Sequence, residues 1–264
     1  MNTNAFELAY SALTQASVAD KIAQVGQLSA LKDANKLAFD QDFPIKEIIN
    51  PGRPDKPELV RFQGVPSRDK SDLGMIKTMH AICHIEFNAI NLALDAVYRF
   101  RDMPNAFYQD WIRVAKEEAY HFSLINDYLL SLGYQYGDFN AHNGLWKITH
   151  ETAYDVLVRM ALVPRVLEAR GLDVTPKIQQ RFAQSNFTPM VEILDVIFRD
   201  EIGHVRIGNR WYHYLCQQRN LDPKTTFIAL IKKHIGDSLR GPFNIQARKL
   251  AEFSDQELEY LEQL

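Results

Sequence analysis

The sequence contains little cysteine. Of its 264 residues only two are cysteines, Cys83 and Cys216, and both lie within apolar segments with helical periodicity. Two cysteines exclude a disulfide framework as the main source of stability, and a free cysteine is usually a buried and chemically inert residue. We therefore expect two buried thiols and a reducing compartment, the cytoplasm.

Signals for a membrane, for export and for nucleotide binding are also missing. No apolar run approaches the ~20 residues that a membrane-spanning helix needs. The first ten residues, MNTNAFELAY, lack the basic start of a secretory signal. A net charge of −3 gives no overall attraction to nucleic acid or anionic lipid. Since the chain also lacks a phosphate-binding loop and a dinucleotide fingerprint, it identifies no nucleotide ligand.

Four segments with helical periodicity place a carboxylate where a core residue is expected. These carboxylates are Glu86, Glu118, Glu168 and Glu201. Glu118 and Glu201 are each followed three residues later by a histidine, His121 and His204 respectively. A spacing of three residues puts both side chains on one helix face, where they can bind the same ion.

The intervals between these segments fit two helix hairpins. Glu86 and Glu118 are 32 residues apart, and Glu168 and Glu201 are 33 apart. The 50 residues from Glu118 to Glu168 leave room for one long crossover between the hairpins. A lone glutamate on each of two helices, with Glu-x-x-His on the other two, is the ligand pattern of di-iron and di-manganese carboxylate bundles.

Burial energetics favour a metal site over four separate structural roles. Any one of these glutamates, taken alone, is better explained as a half-exposed or ion-paired residue. Burying four carboxylates on core stripes without cations would be prohibitive. Two divalent cations would neutralise them, and two neutral imidazoles would complete a ligand set of oxygen and nitrogen.

For several further residues the sequence leaves two interpretations open. His80 and His84 share a helix with Glu86 but lie on other faces, so we expect them at the surface or beside a ligand. Arg165, one turn before Glu168, could bind a carboxylate or anion, or form a surface ion pair. Three tyrosines could line a pocket or pack in the core: Tyr120, Tyr154 and Tyr212.

At these residues the chain resembles the ferritin-like superfamily and, more narrowly, the bacterial family known as domain of unknown function 455 (DUF455). The segments that carry the resemblance are HIEFNAINLALDAVYRF from His84, EEAYHF from Glu117, YGDFNAH from Tyr136, MALVPRVLEARGLDVTP from Met160 and DEIGHV from Asp200. It implies an all-α, ferritin-like four-helix bundle with a dinuclear metal centre, and it brings no established reaction. More distantly, di-iron hydroxylases of modified tRNA share the ligand pattern.

We expect a single ferritin-like domain over residues 1–264. Its parts are a leading helix over 1–30, an irregular wrap over 31–70, the four-helix bundle over 71–220 and C-terminal helices over 221–264.

Local signals predict where individual helices begin and bend. Pro164 should bend a third bundle helix that runs from about residue 145 to 171, and Thr175 with Pro176 should open a separate short helix. Thr188 and Pro189 should open the fourth bundle helix. Ser254 with Glu257 is typical of a capping box.

The leading functional hypothesis is an O2-dependent di-iron oxidase or hydroxylase of unknown substrate. Its ligands are the four glutamates and two histidines above, its cofactors are two iron ions with manganese or zinc possible at either position, and its partners are O2, a small-molecule substrate and an external electron donor. The alternatives are an iron-handling protein without an organic substrate and a bundle that holds a structural ion. We expect a monomer or dimer, because the wrap and the tail would obstruct packing into a storage cage.

Overall fold

The computed structural model describes residues 2–39, 42–236 and 239–263. Within them the regular secondary structure is almost entirely helical, and the short strands β1 (Thr3–Asn4) and β2 (Leu37–Ala38) pair in parallel. The chain divides into two compact units, Met1–His150 and Glu151–Leu264. None of the described helices is long and apolar enough to span a bilayer.

The first unit is built on a helix pair, α3 and α4, that packs together and is joined by a short connection. Its helices are α1 (Ala5–Thr14), α2 (Val18–Asp33), α3 (Asp72–Arg99), α4 (Asn105–Ser131) and α5 (Gly144–Glu151). Helices α1 and α2 pack on α3 and α4 respectively. Ser71 caps α3 by accepting a hydrogen bond from the Gly74 N–H, and Gly133, at φ +82°, follows the end of α4.

The leading segment forms two helices where the sequence predicts one. Asn4 caps α1, as its side chain accepts from the Phe6 N–H. The helix ends at Thr14, however, and Ser17 starts α2 by accepting from the Asp20 N–H. The apolar periodicity continues across this break, so the periodicity alone did not reveal that Ser17 acts as a helix cap.

The predicted irregular wrap has little regular structure apart from β2 and a 3₁₀ turn at Phe62–Gly64. Ile48 is buried, and the carbonyl of Ile49 accepts a hydrogen bond of 2.8 Å from the Trp146 indole. Leu59 forms an isolated bridge with Ala141 of the connection that follows α4. These contacts attach the wrap to the first unit, and residues 40 and 41 of the predicted wrap lie outside the described residues.

In the second unit a helix that changes its winding packs against the long helix α8. In chain order the elements are α6 (Val156–Leu162), a π-helix (Val163–Glu168), α7 (Ala169–Ala183), α8 (Thr188–Gln218), α9 (Pro223–His234), α10 (Ile245–Leu250) and α11 (Asp255–Glu262). The predicted start of α8 and the capping box of Ser254 with Glu257 are both confirmed.

Two predictions about the helix before α8 are wrong. It does not run unbroken from 145, because α5 ends at Glu151 and the Asp155 side chain caps α6 by accepting from the Leu157 N–H. Nor does Pro176 open a separate helix, since it lies inside α7. A proline in a helix leaves the carbonyl four residues earlier without its usual donor. Here that carbonyl belongs to Leu172, and the Asn244 amide donates to it at 3.2 Å.

The first unit thus contains the pair of α3 and α4, and the second contains α8 packed against α6, the π-helix and α7. The joining of the two pairs into one four-helix bundle, and of the whole chain into a single domain, stays a prediction.

Candidate metal-binding residues

Three of the predicted ligands meet within the first unit, between α3 and α4. We call Glu86, Glu118 and His121 the first ligand group. The Nδ1 atom of His121 lies 3.3 Å from a Glu86 carboxylate oxygen and 3.6 Å from one of Glu118. The ligand atoms of all three residues lie within 4.8 Å of one another. These distances are short enough for the three side chains to hold one metal ion.

The first ligand group is buried in an apolar layer. Glu118 and His121 are fully buried, and Glu86 is 4% exposed. Their neighbours in sequence on the same helices, Phe87 and Phe122, are buried and lie with ring centroids 5.7 Å apart. Carboxylates in such surroundings require a compensating positive charge.

The two carboxylates raise the pKa of His121. Burial alone would lower the pKa of this imidazole, but hydrogen bonds and charge attraction from Glu118 and Glu86 outweigh burial and raise the pKa to about 11. A site that holds a proton this strongly attracts positive charge. The nearby thiol behaves differently, since burial and then the charge of Glu86 raise the pKa of Cys83 well above its usual value. Cys83 and Cys216 are both free and buried, as predicted.

The remaining predicted ligands lie in the second unit, and we call Glu168, Glu201 and His204 the second ligand group. On α8, the Nδ1 atom of His204 lies 3.4 Å from a Glu201 carboxylate oxygen. His204 is fully buried and the Glu201 side chain is 13% exposed. Glu168 is half-buried and ends the π-helix, which packs against α8. Insertions of π-helix into α-helices occur frequently at functional sites.

The two histidines beside Glu86 are not surface residues. His80 and His84 are 1% and 7% exposed. His80 accepts the Gly137 N–H at 2.9 Å, and His84 contacts the Tyr136 hydroxyl at 2.9 Å. Burial lowers the pKa of each imidazole to about 4, so both rings are neutral at pH 7. They attach the connection after α4 to α3.

The structure also distinguishes between the alternative interpretations of Arg165 and of the three tyrosines. Arg165 is fully buried and pairs with Glu257, so the reading as a surface ion pair is wrong. Tyr120 and Tyr154 are more than half exposed, whereas Tyr212 is buried in the core. The sequence pattern predicted no role for Glu257 beyond the helix cap. A charged residue in the middle of the apolar stripe of a short terminal helix was the signal for its second role.

Comparison with known proteins gives the family. Residues 14–259 match the family described as "Protein of unknown function (DUF455)". A protein of Haemophilus influenzae (strain ATCC 51907 / DSM 11121 / KW20 / Rd), described as an uncharacterized protein, is 50% identical over 233 residues, which cover 84% of this chain and 80% of that protein. No solved structure matches the chain. On the extent of the family match and the identity to this relative, the chain belongs to the DUF455 family.

Proposed function

We propose that this protein is a di-iron carboxylate protein that acts as an O2-dependent oxidase or hydroxylase. Its six ligands would be the members of the first and second ligand groups, Glu86, Glu118, His121, Glu168, Glu201 and His204. The proposal also allows manganese or zinc in place of iron at one or both metal positions. The ferritin-like bundle, the cytoplasmic location, the small-molecule substrate and the external electron donor belong to this proposal as well.

The observation that carries the proposal is the first ligand group. Two carboxylates and an imidazole from two different helices converge in a buried apolar layer, with all their ligand atoms within 4.8 Å. The second ligand group supports it, because Glu201 and His204 repeat the contact between Glu118 and His121 on another helix. A single buried carboxylate pair has many explanations, whereas two Glu-x-x-His pairs together with two lone glutamates on other helical segments are the ligand pattern of a dinuclear centre.

The donor set suits iron. Four carboxylates balance the charge of two divalent ions, and imidazole with carboxylate is a ligand set that Fe(II), Mn(II) and Zn(II) accept, with no thiolate to favour softer ions. Bound iron would supply the redox chemistry with dioxygen. The residues of the chain would hold the ions, balance their charge and exclude water, which the apolar surroundings of Glu118 and His121 favour.

The proposal is tested by metal analysis followed by oxygen uptake. Protein purified without oxygen from its native host should contain about two metal ions per chain, mostly iron. The iron-loaded protein with a reductant should consume O2, and the same protein loaded with zinc, which has no redox chemistry, is the control. Absence of bound metal would overturn the proposal. Bound iron without O2 consumption would favour an iron-handling or structural role.

A further inference from the structure

The C-terminal tail, residues 244–257, contacts the rest of the second unit at one residue before Glu168 in sequence and at others after it. One buried ion pair reaches Arg165, three residues before Glu168, and a second reaches Asp173, five residues after it. Glu168, the last residue of the π-helix, therefore lies between two points that are fixed by the same segment. Nothing in the predicted ligand pattern requires a tail, so these contacts need a separate explanation.

The first pair joins Arg165 to Glu257, and both side chains are almost completely buried. An Nη2 hydrogen of Arg165 is donated to one carboxylate oxygen of Glu257. The other carboxylate oxygen accepts from the Ser254 N–H at 3.0 Å and from its hydroxyl at 2.9 Å. Arg165 also donates from Nε to Asn209 of α8, whose own amide donates to the carbonyl of Ala251. One arginine thus connects the π-helix, α8 and the tail.

Aromatic rings enclose the Arg165 guanidinium. Its Cζ atom lies 3.9 Å from the ring centroid of Phe227, 4.1 Å from that of Tyr212 and 4.9 Å from that of Phe253. Such cation–π contacts are strongest where water is excluded. If Glu257 were removed, the arginine charge would remain buried against these rings without its counter-ion, which is costly.

The second pair joins Arg248 of α10 to Asp173 of α7. The guanidinium donates to both carboxylate oxygens of Asp173, at 2.9 and 2.8 Å, and to the carbonyl of Ala169 at 3.3 Å. Asn244 adds the hydrogen bond to Leu172 that compensates for Pro176, and its own N–H donates to Asp173 at 2.9 Å. Each of these contacts fixes the first turns of α7, directly after Glu168.

A π-helix is rare and occurs mostly as a single turn inside an α-helix, frequently at functional sites. We propose that Asn244, Arg248 and Glu257 are positioning residues for Glu168, because they fix Arg165 inside the π-helix and the first turns of α7 directly after Glu168. This inference rests on the proposed function, since Glu168 is a metal ligand only there. The tail then supports the metal centre from outside the ligand set, as residues that hold ligands do in other metal sites.

The test compares Glu257→Gln with Lys249→Ala. Glutamine keeps the size and the helix cap but removes the charge that faces Arg165. Lys249 lies in the same tail and pairs with Asp255 at 2.9 Å, and both of these side chains are exposed, so its loss is the matched control. We expect Glu257→Gln to weaken binding of the Mn²⁺ ion that Glu168 would hold by about 10- to 100-fold, as loss of ligand-supporting residues does. Lys249→Ala should bind as the wild type does.

A double variant separates positioning from general destabilisation. If Glu257 acts through Glu168, Mn²⁺ binding by Glu168→Ala should be no weaker when Glu257→Gln is added, because the ligand that it positions is already gone. Additive losses, or a single variant that binds like the wild type, would overturn the inference. Additive losses would instead assign Glu257 a purely structural role.

Hydrogen exchange of the metal-free proteins gives a readout that does not depend on metal. The amides of residue 163 and of residues 165–169 should exchange faster in Glu257→Gln than in the wild type, and at an unchanged rate in Lys249→Ala. If the wild type binds no metal, the proposed function fails, and this exchange experiment still decides whether the tail holds the π-helix. Unchanged exchange in Glu257→Gln would contradict the inference even if the wild type binds two ions.

Discussion

Gly208 of α8 lies directly against the ring of Pro164 in the π-helix. A Cβ atom added at Gly208 would lie 2.4 Å from Pro164 Cβ and 2.5 Å from its Cγ. No side chain larger than hydrogen fits there, and a proline ring cannot rotate away. The close approach brings α8, which carries Glu201 and His204, against the segment that carries Glu168.

We expect Gly208→Ala to destabilise the protein. Replacing a helical glycine normally stabilises by up to ~1 kcal/mol, but overpacking costs ~1–3 kcal/mol, so the net free energy of unfolding should fall. The control is Gly171→Ala in α7, where an added Cβ would meet nothing within 4 Å. That variant should be more stable by ~0.4–1 kcal/mol. Urea denaturation measures both, and a Gly208→Ala protein as stable as Gly171→Ala would contradict the contact.

Adjacent glutamates on α4 offer a matched test of the first ligand group. Glu118 is fully buried beside His121, whereas Glu117 is part-exposed and pairs with Arg113 at 3.5 Å. Glu118→Gln should weaken metal binding at least ~100-fold, since even residues that only support ligands cost 10- to 100-fold. Glu117→Gln should leave the affinity unchanged. Equilibrium dialysis with Mn²⁺ measures both, and equal affinities would remove Glu118 from the ligand set.

The second ligand group can be tested in the same way on α8. Glu201 contacts His204, whereas Glu192, nine residues earlier, is exposed. Glu201→Gln should reduce the number of Mn²⁺ ions bound at a fixed concentration, and Glu192→Gln should not. A Glu201→Gln protein with the metal content of the wild type would show that this carboxylate is not a ligand.

Local signals predicted two helix starts, that of α8 at Thr188 and that of α11 after Ser254. The Ser254 hydroxyl accepts a hydrogen bond from the Glu257 N–H, and such a cap depends only on neighbouring residues. The same kind of rule failed at Pro176. There the tail residue Asn244 supplies the donor that the proline lacks, and no local pattern contains a residue so distant in sequence.

The candidate site likewise has features that the sequence predicts and features that it does not. The spacing of Glu118 with His121 and of Glu201 with His204 follows from helix periodicity, and the structure shows both contacts. The sequence did not predict the π-helix. Its neighbours include Gly208, 44 residues after Pro164, and Glu257, 92 residues after Arg165, and no local pattern contains residues so distant in sequence. Sequence periodicity fixes which face a side chain occupies, whereas a change in helical winding is decided by tertiary contacts.

The hydrogen bond between Tyr136 and His84 should contribute to the stability of the first unit. The Tyr136 hydroxyl contacts His84 Nδ1 at 2.9 Å, while His84 Nε2 lies 3.1 Å from the carbonyl of His142. Tyr136→Phe would leave a buried ring nitrogen without its donor, so the free energy of unfolding should fall by ~1–3 kcal/mol. Tyr134→Phe is the control, because Tyr134 stacks on Phe139 and, within the described residues, its hydroxyl donates no hydrogen bond. Equal effects of the two changes would contradict this assignment.

The buried ion pair of Glu257 and Arg165 should make the free energy of unfolding depend on pH in the acid range. Burial would raise the pKa of Glu257, but hydrogen bonding to His213 and the charge of Arg165 outweigh it and hold the pKa well below its usual value of 4.5. In the unfolded chain this carboxylate takes up a proton near pH 4.5, while in the folded chain it stays ionised. The unfolded state therefore binds more protons, and the stabilisation is complete above that pH and is lost as the pH falls.

Glu257→Gln should consequently be less stable than the wild type at neutral pH, and the difference in unfolding free energy should shrink as the pH falls below 4.5. Urea denaturation at a series of pH values measures this difference. Glu259 lies on the same helix but is exposed, so Glu259→Gln should follow the pH profile of the wild type. A difference between Glu257→Gln and the wild type that stays constant into acid would mean that the folded chain does not hold Glu257 ionised, and the ion pair with Arg165 would have to be abandoned.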